Sequence, residues 1–243
     1  MPHPPTARRL LALTARQFTR QVPGMAAAAP WACVAFALSL PGALLLNQAG
    51  APRQTWFLLA AVVNLLALAR VALAWQRQLA GAPRQAPRLD GAHARVLGLV
   101  FGAIVCIAAL KAVSGSLTLT LYFQMPDTPS TVFLMIALLV LLILWLPAMH
   151  LLGARSLGLP RAALTDGYGW RQSRQALRGA VWPFSAVLLL LTGLTEVTGA
   201  ALREALSLYR LDAIITAAGG LLLTLALLLF LSILCATAYR ERA

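Results

Sequence analysis

The 27 residues from Thr128 to Ala154 contain no Lys, Arg, Asp or Glu. An α-helix rises about 1.5 Å per residue, so roughly 20 apolar residues cross a hydrocarbon core about 30 Å thick. This stretch is long enough to span, and the chain then runs directly into Arg155, Arg161, Arg171, Arg174 and Arg178. The same imbalance holds throughout: 60% of the 243 residues are hydrophobic, only 11% are charged, and the mean hydropathy is +0.79. Soluble domains carry about a quarter charged residues. Too little polar surface is left to cover a water-facing globule, so lipid is the expected solvent for most of the chain.

The expected fold is all-α: a polytopic membrane protein with six transmembrane helices and both termini cytoplasmic. The charge-free or charge-poor spans fall at about 27–47, 55–76, 96–118, 131–154, 181–202 and 213–237. They form one membrane domain over 25–243, preceded by a basic arm over 1–24. In that arm a retained amphipathic helix is expected from Thr6 to Val22, with Leu11, Ala15, Phe18 and Val22 on one face and Arg9, Arg16 and Arg20 elsewhere. A cleavable signal peptide fits less well, because its apolar core would be only Leu10 to Ala15, below the usual ~7–15 residues.

Arginine placement sets the threading. With the N-terminus inside, the inner segments hold Arg8, Arg9, Arg16, Arg20, Arg77, Arg84, Arg88, Arg95, the five arginines of 155–178, Arg240 and Arg242. The outer segments hold only Arg53, Arg203 and Arg210. This asymmetry predicts a multi-pass protein of the bacterial inner membrane. The formal charge of +13 then points to anionic headgroups on the cytoplasmic side as partners, and not to nucleic acid.

Two deep charges stand out. Lys111 lies well along the third span and Glu196 at a similar height along the fifth. Each shares a helical face with small or polar residues: Ser114, Gly115 and Thr118 beside Lys111, and Thr192, Thr195 and Gly199 beside Glu196. A charge in hydrocarbon costs at least a few kcal/mol, so membrane helices turn such faces toward one another. A polar seam in the outer half of the bundle is therefore expected, with Lys111 and Glu196 pointing into it. It serves either packing or a solute, proton or lipid headgroup, and packing is the favoured reading. Asn64 in the second span is expected to bond across helices, and Arg70 to reach the inner headgroups. Gly98-x-x-x-Gly102 allows close helix approach within the bundle, in a homo-oligomer, or with a partner membrane protein.

The segment 155–178 is the richest inner element. Trp170, Ser173, Arg174 and Leu177 fall on one helical side with Arg171 and Arg178 beside it, the pattern of a short interfacial helix with Trp at headgroup depth. Here Pro160-Arg161-Ala162-Ala163, then Gly169-Trp170-Arg171, Arg174 and Arg178, lead through Trp182-Pro183 into an apolar helix. That run resembles bacterial six-helix membrane proteins of the glycerophosphodiester phosphodiesterase membrane-domain kind. The chain departs from those families' Ser-Trp and later Arg-Gly, and it carries no hydrolase domain. The resemblance implies a membrane role with no catalytic residue to carry over.

Enzyme signatures are missing from the sequence. His3, His93 and His150 are scattered, and there is no HExxH, Walker loop, GxGxxG or G-x-S-x-G. Cys33, Cys106 and Cys235 lie inside apolar segments without C-x-x-C spacing, as small hydrophobes do. No cofactor or metal is expected. The leading expectation is a non-catalytic accessory or lipid-associated protein; the alternatives are a small transporter or channel using the Lys111/Glu196 seam and, third, an intramembrane enzyme.

Overall fold

The computed structural model describes residues 6–44, 51–81, 90–126, 129–165, 167–169, 180–208 and 210–241. These residues form α1 (Ala7–Ala28), α2 (Pro30–Leu44), α3 (Ala51–Leu79), α4 (Gly91–Gln124), α5 (Ser130–Arg155), α6 (Gly158–Leu164), α7 (Trp182–Leu208) and α8 (Leu211–Arg240), with no strand among them. Among the described residues five helices are long and apolar enough to cross a membrane, or six passages if α1 and α2 count as one bent span. Helices satisfy every backbone N–H and C=O internally, the condition that hydrocarbon imposes on any crossing segment.

The first expected span is realised in part by α2, whose 15 residues reach about 22 Å at 1.5 Å per residue; residues 45–50 lie outside the described residues. At its start α2 meets α1 at 102°. At its other end the Leu44 carbonyl approaches Gly199 of α7, so α2 runs from one end of the bundle toward the other. The other helices outrun the spans read from hydropathy. Helix α3 continues through Arg77 to Leu79, and α4 starts at Gly91 behind an Asp90 N-cap that accepts from the His93 N–H at 3.0 Å. A capping carboxylate satisfies an orphan N–H and suits the positive end of the helix, so the helix extends beyond the apolar window.

Helices α7 and α8 form the most extensive pair, α2 and α3 the next, with α1 laid on α8, α3 on α4, and α5 on α7. Lipid tails are as apolar as leucine, so close van der Waals contact, made possible by small residues, holds such helices together. A Cβ on Gly220 of α8 would run into Thr198 of α7, and one on Gly42 of α2 would stand 2.9 Å from the Ala60 Cβ of α3. Asn64 of α3 donates to the Phe36 carbonyl (3.3 Å) and to Ser39 Oγ (3.2 Å) of α2, the expected bond across helices.

Core packing is concentrated at one end. Leu10 of α1 is buried with Ala154, Leu157, Phe184, Leu234 and Ala238; Met25 of α1 is buried with Val71, Trp75 and Ile233. Ala162 and Ala163 of α6 fill the space against Ala69, Leu73 and Val96. The N-terminal helix is thus built into the end of the bundle. Its buried positions are Leu10, Thr14 and Met25, with Gln17 and Phe18 half-buried, whereas Ala15 is exposed. The face is turned by about one residue from the one predicted, because Thr14 returns its hydroxyl to the Leu10 carbonyl (2.8 Å) and Gln17 accepts from Thr237 of α8 (3.0 Å). Polar side chains that bond locally or across helices can occupy buried positions that hydropathy assigns outward.

Gly220→Val should destabilise the protein by about 1–3 kcal/mol through overpacking against Thr198. Gly219→Ala, at a position where a Cβ meets nothing within 4 Å, should be neutral. Thermal or detergent denaturation of the purified protein, followed by far-UV circular dichroism, measures both.

Candidate functional site

Lys111 and Glu196 meet. The Lys111 ammonium forms an ion pair with the Glu196 carboxylate, bringing α4 to α7 at a level where the two helices otherwise make little contact. The pair does not point into a closed seam. Its side chains are 37% and 59% exposed, respectively, so it lies on the surface of the bundle.

The hydroxyls predicted to line the seam are occupied elsewhere. Thr118 donates to the Ser114 carbonyl (2.9 Å), Thr192 to the Leu188 and Leu189 carbonyls (3.0 and 2.9 Å), and Thr195 to the Thr192 carbonyl (2.8 Å). Ser114 donates to Leu110 O (2.7 Å) and accepts from Trp145 Nε1 of α5 (2.8 Å). Serine and threonine satisfy themselves on the preceding turn of their own helix in this way, which leaves none of these four hydroxyl donors free for a solute. Of the residues named for the seam, Lys111 and Glu196 are the pair that bonds from one helix to the other among the described residues.

The opposite end of the bundle carries the arginines. Arg8, Arg9, Arg16 and Arg20 are exposed along α1, Arg155 closes α5, and Arg240 closes α8. Arg95 reaches from α4 to the C-terminus of α6, with Nε 3.4 Å from Ala162 O and Nη2 3.0 Å from Thr165 O, placing its charge where the helix dipole favours a cation. Arg161 lies over Gly169, whose φ of +56° and lack of a Cβ both permit the contact. Arg70 is half-buried near His93. Trp170, Arg171, Arg174 and Arg178 lie outside the described residues.

Sequence reading missed α6 and the bonds that seat it, although Pro160 and the Ala162-Ala163 pair are in plain view. A seven-residue helix has no apolar periodicity to detect, and only its neighbours reveal that it is buried. Gly98 faces the Tyr168 hydroxyl, 3.7 Å from where its Cβ would be, and Gly102 faces open space. The Gly-x-x-x-Gly pair therefore makes no helix crossing among the described residues. Nor, among them, do three His, Cys, Asp or Glu side chains converge as metal ligands.

No protein-family model, curated protein or solved structure matches the chain.

Arg77 donates to Asp90 at 2.7 Å. That hydrogen bond, reinforced by the His93 N–H, holds the Asp90 carboxyl below its ordinary range. A carboxyl with a depressed native pKa contributes stability above its unfolded pKa and loses it as pH falls through the native value. Wild-type protein should therefore lose stability on acidification below about pH 4 more steeply than Asp90→Asn. Unfolding midpoints compared between pH 6 and pH 3 measure the difference.

Proposed function

We propose that this is a non-catalytic, multi-pass protein of the bacterial inner membrane that acts as an accessory, lipid-associated component. In this reading both termini are cytoplasmic and the chain crosses six times, α2 with the residues after it making the first crossing. The position of the two ends of the chain supports the even count: α1 packs on the end of α8, where Arg9 lies 3.7 Å from Glu241. The gathering of Arg8, Arg9, Arg16, Arg20, Arg77, Arg95, Arg155, Arg161 and Arg240 at that same end supports the orientation.

One observation carries the lipid reading. Helix α1 lies across the bundle with its inner face packed and Arg8, Arg9, Arg16 and Arg20 exposed, the arrangement of a basic interfacial helix. Each such arginine is worth about 1 kcal/mol beside an anionic leaflet. Arg70, Trp170, Arg171, Arg174 and Arg178 are the further headgroup contacts proposed. The self-satisfied hydroxyls around Lys111 and Glu196 favour packing over a solute path, so transport is the weaker reading.

Purified protein in mixed-lipid nanodiscs should enrich phosphatidylglycerol over phosphatidylcholine in its retained annulus, measured by lipid mass spectrometry. Arg16→Gln with Arg20→Gln and Arg70→Gln should lower that preference by about five-fold per arginine. Equal retention of both lipids by the wild type would sink the lipid assignment.

A further inference from the structure

A half-exposed ion pair on a hydrocarbon-facing surface needs a polar cover. Glu196 lies fourteen residues past Trp182 on α7, roughly 21 Å along a helix of 1.5 Å rise, hence about 9 Å short of the far edge of a 30 Å core that begins near Trp182. An ammonium has three donors and a carboxylate about four acceptor sites, so one contact leaves most of both unsatisfied. Among the described residues neither group has another partner, and the neighbouring hydroxyls are bonded to their own helices.

The positions flanking the pair carry small residues. Lys111 is flanked three residues before and four after by Ala108 and Gly115, and Glu196 likewise by Gly193 and Ala200; all four are exposed. A Cβ at Gly115 or Gly193 would meet nothing within 4 Å. Small residues at these spacings allow another helix to approach closely around a polar contact. Helix α4 is also the least buried of the apolar helices, with 6% of its apolar window inside the bundle.

We propose that a second copy of this chain covers the α4–α7 face. The pair carries no net charge, so a simple anion or cation is repelled by one member as it is drawn to the other. Its depth lies below the level of lipid phosphates, whereas a protein helix brings polar groups to any depth. A two-fold axis along the membrane normal sets α4 of one protomer opposite α7 of the other. Each Lys111 then meets the partner's Glu196 at equal height, and the four charges alternate around a square. The face is its own complement.

Full-length protein labelled at one site and reconstituted in bilayers at low protein-to-lipid ratio tests this by single-molecule photobleaching. Wild type should dimerise, and Gly115→Leu with Gly193→Leu, which adds bulk at two exposed positions where a Cβ meets nothing within 4 Å, should weaken dimerisation at least ten-fold. Lys111→Glu and Glu196→Lys should each fail to self-associate, yet associate with each other when mixed, because one then presents two carboxylates and the other two ammonium groups. Far-UV circular dichroism and elution profile establish that each variant is folded; a charge variant that does not fold is replaced by Lys111→Gln and Glu196→Gln, both expected to weaken the dimer. A monomeric wild type, a leucine variant that dimerises as well as wild type, or folded charge variants that do not rescue each other would each overturn the proposal. In those cases water or a zwitterionic headgroup covers the pair.

Discussion

A segment long and apolar enough to cross hydrocarbon must close its own hydrogen bonds, and much of this structure follows from that. Each long apolar segment closes its backbone bonds on itself as a helix. Side-chain hydroxyls do likewise, from Thr14 on Leu10 to Thr224 on Gly220. Where a polar side chain leaves its own helix it ties two together: Asn64 to Phe36 and Ser39, Trp145 to Ser114, Gln76 to the Ser232 carbonyl, and Trp75 to the Met25 carbonyl. These bonds, with Gly220 against Thr198, determine which helices are neighbours.

The two ends of the bundle are built differently. At the arginine-rich end α1 and α6 plug the space between the long helices, and Leu10, Phe184, Leu234 and Ala162 are fully buried. Toward the other end α7 and α8 stay joined through small residues, including Ala201, Ala205, Ala213 and Ala217. Helices α4 and α5 there expose Leu119, Tyr122, Phe123, Leu134 and Met135. Arg210 closes that end of α7–α8, bonding Asp212 at 2.6 Å and Glu204 at 2.8 Å. The better-packed basic end and the more open apolar end follow from where α1 and α6 sit, and the Lys111–Glu196 pair lies on the open part.

Much of the candidate site was legible and part was not. That Lys111 and Glu196 share a depth follows from counting residues along two helices, and the ion pair is the outcome. Their exposure could not be counted, since it depends on how far α4 stands from α7. The rotated face of α1 is a similar case. Thr14 and Gln17 are not among the residues of the predicted apolar face, and their burial shows only once Leu10 and Thr237 are seen to satisfy them.

The apolar lengths, the charge-free interval from Thr128 to Ala154 and the arginine asymmetry were determined by sequence alone, because solvent choice and backbone satisfaction are local properties of a segment. Which helices touch, that α6 is buried, and that two opposite charges lie together on an open face were decided only in three dimensions. Packing depends on side chains distant in sequence meeting in space, and composition carries no record of that.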